Sequence, residues 1–463
     1  MPRQASPSRP LAAPSPSLAV RPILSVWWPL AASWLLMAIE GPAISAVVAR
    51  LADPEIHLAA YGGVVFPLSL FVEAPIIMLL AASTALSRDL PSYRKIRAFM
   101  YVTSAALTLL HVLVAFTPLF DIVVGAVIDP PDEVIAPARL GLMIMVPWTW
   151  SIAYRRFNQG VLIRHGHSLA VGVGTVVRLA MNGATLCIGF LHGNLPGIVV
   201  ATLATIAGVT GEAAYVALRV RPVLRQRVAA APRIEPPLDL RAFLRFYIPL
   251  SLTSVILLGA RPIVSATISR MPEALASLAV LPVITSVTFL LRSFGVSYNE
   301  AVVALIDRTG STAPLRRVAR VLGAATTAAL LLVAFTPLSR FWFARVIGLP
   351  PALAALARSA LVYALPLPAM SVAQSFYQGI VLHSRRTRCV SEAVIVYLVS
   401  STAVLIAGIA LGTTAGIYFG VAAMSLGEIC RTGWLAVRSR GTRRELGRRD
   451  AASTALHRAD APE

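Results

Sequence analysis

The stretch LLMAIEGPAISAVVAR (Leu35–Arg50) is apolar enough for a membrane span, yet it carries a carboxylate, Glu40, two residues before Pro42. A second stretch, LLGARPIVSATISR (Leu257–Arg270), repeats the proline as Pro262 and ends on a matching arginine. It sets Arg261 beside the proline, where the first stretch has an acid nearby. The pair raises two questions: whether the chain is a duplication, and why charges of opposite sign stand in hydrocarbon-like sequence.

The composition answers for the surroundings. The chain has 463 residues, of which 57% are hydrophobic and 13% charged, with a mean hydropathy of +0.74. Soluble domains carry roughly 25% charged residues, so this is a polytopic membrane chain. Spans need about 20 apolar residues each. Twelve are expected: 23–49, 58–87, 97–119, 137–160, 168–191 and 196–219 in the first half, then 242–269, 276–306, 317–338, 352–382, 389–410 and 413–437 in the second. The polar segment Arg221–Leu240 separates the halves. The expected organisation is a disordered tail over 1–22, a six-helix bundle over 23–220, a linker over 221–240, a second bundle over 241–440 and a basic, disordered tail over 441–463.

The net charge of +20 is not a nucleic-acid signature, because no basic soluble domain is present. Arginines gather after the even-numbered spans, as in Arg88/Arg94, Arg155/Arg156/Arg164, Arg219–Arg233, Arg308–Arg320 and Arg385–Arg388, and again at Arg438–Arg449. The alternate loops carry acids such as Asp53, Asp129 and Asp132. By the positive-inside rule both termini are cytoplasmic, and the expected location is the inner (cytoplasmic) membrane, crossed many times. Cys187, Cys389 and Cys430 are scattered, without metal-ligand spacing. No Walker-type string and no nucleophile–base set occurs, so neither ATP hydrolysis nor another enzyme activity is expected, and no metal site and no cofactor beyond a possible coupling ion, proton or sodium. Membrane lipid and a small-molecule substrate are the expected partners.

The halves repeat. VAFTPL occurs at Val114–Leu119 and at Val333–Leu338, and in that register Phe157-Asn158-Gln159-Gly160 falls on Phe376-Tyr377-Gln378-Gly379, Val127-Ile128 on Val346-Ile347, and Arg97 on Arg316. One residue further, Pro42 falls on Pro262, Ser45 on Ser265 and Arg50 on Arg270. With an even number of spans per half, the repeats run parallel, related by an axis along the membrane normal. Within this register Glu73 falls on Arg292, and Glu40 lies next to the position of Arg261: the first half is acidic where the second is basic. Charges at bilayer depth are costly and mark wet cavities or bundle interiors. Glu40, Glu73, Arg261 and Arg292, with the helix-loosening Pro42 and Pro262, are therefore the candidate binding or gating residues. Two readings stand: permanent pairing of these acids with Arg261 and Arg292 across the halves, or pairs that close in one state and break in another. Secondary candidates are Gln159 and Gln378, which repeat; Arg178 and Glu212, able to pair inside the first bundle; and Glu300, near a span end. Glu428 and Arg431 can pair one turn apart.

Twelve spans in two parallel repeats without a nucleotide motif resemble the multidrug/oligosaccharidyl-lipid/polysaccharide (MOP) exporter superfamily, which includes the MATE drug exporters, lipid-linked saccharide flippases and the progressive ankylosis family. Locally, LAAYG (Leu58–Gly62) and Arg261-Pro262-Ile263-Val264 with Ser269-Arg270 are most similar to the ankylosis branch. The resemblance implies an all-α, V-shaped pair of bundles that alternates between inward and outward openings. It implies secondary export: of small organic or phosphate-bearing anions by analogy with the ankylosis branch, of cations coupled to protons or sodium by analogy with MATE exporters, or of a lipid-linked saccharide. Glu40, in IEGP, departs from the MATE pattern of a first-span aspartate, so a sodium site does not carry over. A membrane scaffold would not require buried charges of reversed sign in each half.

Overall fold

The computed structural model describes residues 20–384 and 388–459, the side chains of 453–459 excepted. Helices make up all of its regular structure among these residues. In the first half α1 (Val20–Val48), α2 (Pro54–Leu58), α3 (Phe66–Glu73), α4 (Leu79–Leu86), α5 (Leu90–Phe116), α6 (Asp132–Ile144), α7 (Val146–Arg164), α8 (Ser168–His192) and α9 (Gly197–Val223) follow one another. The second half holds α10 (Leu240–Ile268), α11 (Ala274–Leu305), α12 (Thr312–Phe335), α13 (Leu338–Arg340), α14 (Pro351–Leu361), α15 (Pro366–His383), α16 (Arg388–Leu411), α17 (Gly416–Arg438) and α18 (Arg440–Ala459). Ten helical segments are long and apolar enough to cross a membrane. The expected spans over 137–160 and 413–437 fall on α6–α7 and α17, which are not among the ten and carry Arg155, Arg156, Glu428 and Arg431.

Local structure recurs in the register of the sequence repeat. π-helical turns form at Asp121–Ile128 and again at Phe341–Ile347, and the residue after each, Asp129 and Gly348, has positive φ. Asp53 and Glu273 share the left-handed conformation before α2 and α11. The repeat breaks at one place. Pro75 lacks an N–H and cannot continue a helix, so α3 stops at Glu73 and the chain runs through tight turns to α4. The matching position in the second half is Phe294, and α11 passes through it unbroken.

The halves interlock through α1 and α10. The start of α1 packs on the second half, where Ile23, Trp27 and Ala31 join a buried cluster with Tyr298, Val302 and Leu315. The start of α10 packs on α3 and α5, with Phe243 and Tyr247 edge-on to Phe99. Reciprocal hydrogen bonds fix both: Trp27 Nε1 donates to the Phe294 carbonyl at 3.1 Å, and Tyr247 Oη donates to the Pro75 carbonyl at 2.5 Å. Ser251 Oγ also donates to Pro75, at 3.2 Å.

At the far end of these helices a second reciprocal pair closes the halves. Arg50 donates to the carbonyls of Arg345, Val346 and Ile347 at 2.6–3.0 Å. Arg270 donates to the carbonyls of Ala126, Val127 and Ile128 at 3.0–3.5 Å. Each guanidinium caps the last carbonyls of the other half's π-helical turn, groups that no helical N–H reaches and that form the negative end of the turn's dipole. Among the described residues, every hydrogen bond joining 20–228 directly to 240–459 comes from α1, Arg50, α10 or Arg270.

Two expectations for the chain's ends need amendment. Residues 1–19 of the expected N-terminal tail lie outside the described residues, as do Arg385 and Arg386, and α1 already begins at Val20. The expected disordered tail after 440 instead forms α18. It is held to the α11–α12 loop by Arg449, which donates to the carbonyls of Ile306, Asp307 and Arg308, and by Asp450, which accepts from the Gly310 and Thr312 amides. Within the expected linker the helix runs on as a π turn to Val228, so only the part after that turn is loop. That loop is tied down by Asp89, which accepts from the Ile234 and Ser92 amides. Burial alone would raise the Asp89 carboxyl, but these hydrogen bonds hold it below the usual carboxylate range.

Candidate functional site

The buried charges do not pair across the halves. Glu40 Oε2 meets Arg178 Nη2 at 2.5 Å, and Glu40 Oε1 accepts from Arg178 Nε at 3.3 Å and Asn182 Nδ2 at 3.2 Å. α1 therefore turns Glu40 onto α8 of its own half. Pro42 sits nearly two turns short of the helix end without interrupting α1. The reading of a permanent pairing of Glu40 and Glu73 with Arg261 and Arg292 is corrected on this point, for a reason of symmetry: residues that align in a repeat occupy equivalent places in separate halves, and meet only on the axis between them.

Two further groups complete the first half. Glu212 on α9 pairs with Arg155 on α7 and accepts from Gln159 Nε2 at 2.8 Å. Glu73, at the broken end of α3, is 3% exposed and has no ion pair among the described residues. Its Oε2 meets no well-formed hydrogen-bond partner among the described residues. Arg155, Arg156 and Arg178 act on Glu73 through space. The first half thus sets three carboxylates, Glu40, Glu73 and Glu212, against three arginines.

The second half is arranged differently. Arg292 on α11 donates from Nη2 to Glu428 Oε1 at 2.7 Å, and Arg431 Nη1 stands 3.6 Å from Glu428 Oε2. With the Gln374 amide oriented by its neighbours, its nitrogen donates to Glu428 Oε2 at 2.9 Å and its oxygen accepts from Arg431 Nη2 at 2.9 Å. Arg292 Nε is buried without a partner. The Arg261 side chain on α10 is exposed and, among the described residues, makes no hydrogen bond or ion pair, yet it lies within electrostatic reach of Arg292 and Tyr397. Pro262 follows it inside a continuous α10. Three arginines here face one carboxylate.

Of the secondary candidates, Arg178, Glu212 and Gln159 belong to the first-half network. Gln378 stands one turn after Gln374 on α15, and Glu300 lies exposed on α11. Arg155, Asn182, Gln374 and Tyr397 join the site without having been singled out. The repeat held a signal for them: Arg155 falls on Gln374, Arg178 on Tyr397 and Glu212 on Arg431, so positions that bear the first network bear the second.

No family model matches this sequence, and no curated protein matches it. Solved structures do. An inward-facing multidrug resistance MATE family transporter of the MOP superfamily superposes with a TM-score of 0.68 at 16% identity, covering 93% of this chain and 99% of that one. The lipid II flippase MurJ, inward closed, gives 0.67 at 14% identity, covering 94% of each chain. A MOP superfamily transporter from Pyrococcus furiosus, described by the phrase "reverse polarity of binding pocket suggests different function", gives 0.60 at 15% identity, covering 91% of this chain and 96% of that one. The chain has the multi-pass, all-helical fold of the MOP-superfamily transporters.

Proposed function

We propose that this protein is a secondary exporter that moves a small organic or phosphate-bearing anion across the cytoplasmic membrane by alternating access. The observation that carries the reading is the second-half cluster. Arg261, Arg292 and Arg431 outnumber Glu428, and Arg261 stands exposed with no counter-ion among the described residues. An uncompensated guanidinium at bilayer depth is costly, and its planar fork suits carboxylate or phosphate. The local likeness of the RPIV stretch to the ankylosis branch points the same way. The twelve expected spans form two parallel six-helix units in this reading, with both termini cytoplasmic. The Arg50 and Arg270 clamps hold the opposite face shut and release when it opens. Glu73, buried and unpaired in the first half, is the residue best placed to take up a coupling proton or sodium ion.

The unpaired carboxylate of Glu73 also favours a second reading, proton- or sodium-coupled efflux of cations, in keeping with the MATE neighbours. A lipid-linked saccharide flippase, in keeping with MurJ, has no separate observation in its favour. Ligand-induced thermal stabilisation separates the first two, because a ligand that binds the native state raises its stability by mass action. Citrate, pyrophosphate or ATP is expected to raise the melting temperature of the wild type and not of R292Q or R261Q. Stabilisation by cationic dyes alone, lost in E73Q, would instead establish the second reading.

A further inference from the structure

Glu428 occupies a place that the transported anion would want. It touches Arg292 through a single nitrogen, Nη2 at 2.7 Å, leaving Arg292 Nε buried and without an acceptor. A guanidinium in this state offers an unfilled two-point site, since carboxylates and phosphates accept from two adjacent N–H groups at once. At the same residue α11 is tied to α15, because Ser371 Oγ donates to the Arg292 backbone carbonyl at 3.0 Å.

Glu428 itself has somewhere to go. Its other oxygen accepts from Gln374 at 2.9 Å and lies 3.6 Å from Arg431, one turn along the same helix. If it let go of Arg292 it would remain paired and hydrogen-bonded, so the exchange would strand no charge. In the first half no equivalent exchange is available: Glu212 is paired with Arg155 and Gln159, and the residue matching Arg292 is Glu73.

We propose that Glu428 is an internal stand-in for the substrate, a tethered carboxylate that caps Arg292 in the empty transporter and is displaced onto Arg431 when a carboxylate or phosphate group binds between Arg292 and Arg261. This inference rests on the anion reading and deepens it by naming the competitor and the two arginines that grip the ligand. Its consequence runs against the usual effect of removing a buried charged residue from a binding site: taking away Glu428 strengthens binding. An apparent dissociation constant is the intrinsic one divided by the fraction of molecules with the site free. If roughly one molecule in ten has Arg292 free, removal of the competitor lowers Kd about tenfold.

Titration calorimetry on the full-length protein in detergent tests this, with citrate and pyrophosphate in separate arms to tell carboxylate from phosphate ligands. The variants are E428Q, E428D and R292Q. E428D keeps a negative charge near Arg431 but is one methylene too short to hold Arg292, so it folds wherever the charge is needed for folding. The expected result is a Kd about tenfold lower in E428Q or E428D than in the wild type, and no binding in R292Q. Unchanged or weaker binding in both Glu428 variants, with R292Q still inactive, overturns the stand-in role and leaves the anion reading intact. Equal binding by wild type and R292Q overturns the grip assigned to Arg292 and this inference with it, and binding of neither anion by any form overturns the anion reading as well.

Discussion

Glu40 and Glu73 look alike in the sequence, each an acid two residues before a proline, and the structure gives them opposite situations. Glu40 is held by Arg178 and Asn182, while Glu73 is buried with an unpartnered oxygen. Removing one partner of a buried pair leaves the other as an uncompensated charge and costs about 3–5 kcal/mol. E40Q is therefore expected to lower stability by roughly 3 kcal/mol, read as a large drop in melting temperature, through the orphaned Arg178. E73Q breaks no ion pair and is expected to cost well under half of that. Equal losses in the two variants would show that Glu73 is as firmly paired as Glu40. The sequence alone could flag both residues, but not this difference, because it depends on which way α1 and α3 are turned.

α1 and α10, with the arginine just beyond each, carry the hydrogen bonds between the halves, and each does so at both of its ends. Trp27 and Tyr247 reach the carbonyls at one end, Arg50 and Arg270 at the other. The arginine clamps depend on a planar group with several N–H donors; a lysine ammonium cannot span three successive carbonyls. In the proposed cycle they must break for the far face to open. R50A and R270A are each expected to speed labelling of a cysteine placed at buried Ser265 by an impermeant maleimide added from that face, in a background lacking the native cysteines. R50K should not restore the slow rate. Labelling at the wild-type rate in both alanine variants would show that the clamps do not close that face. Arg50 and Arg270 were visible in the sequence as matching residues, and so were the Val-Ile pairs they cap. That each arginine reaches the other half's pair was not visible, because the crossing of α1 and α10 is a property of packing and not of register.

Across the whole molecule, apolar periodicity and the VAFTPL repeat made the all-helical membrane architecture and its duplication readable, and the fold of MOP-superfamily transporters agrees with that reading. The reversal of sign between Glu73 and Arg292 was also readable. The pairing was not. A single chain shows which positions are equivalent, whereas ion pairs form between positions that are adjacent, and in a duplicated protein the two seldom coincide. Arg155 and Arg156 illustrate the point: they follow the expected pattern of loop arginines, yet α7 continues past them to Arg164 and draws them into the first-half network. The molecule that results is balanced in charge on one side and cationic on the other. In the proposed cycle this imbalance selects the cargo. The most direct test is transport by purified protein in proteoliposomes preloaded with labelled citrate or pyrophosphate. The account predicts protein-dependent efflux that is lost in R292Q and R261Q while both variants remain folded. Efflux of the anion at the wild-type rate in those variants, or transport of cationic dyes with no anion movement in any form, would contradict it.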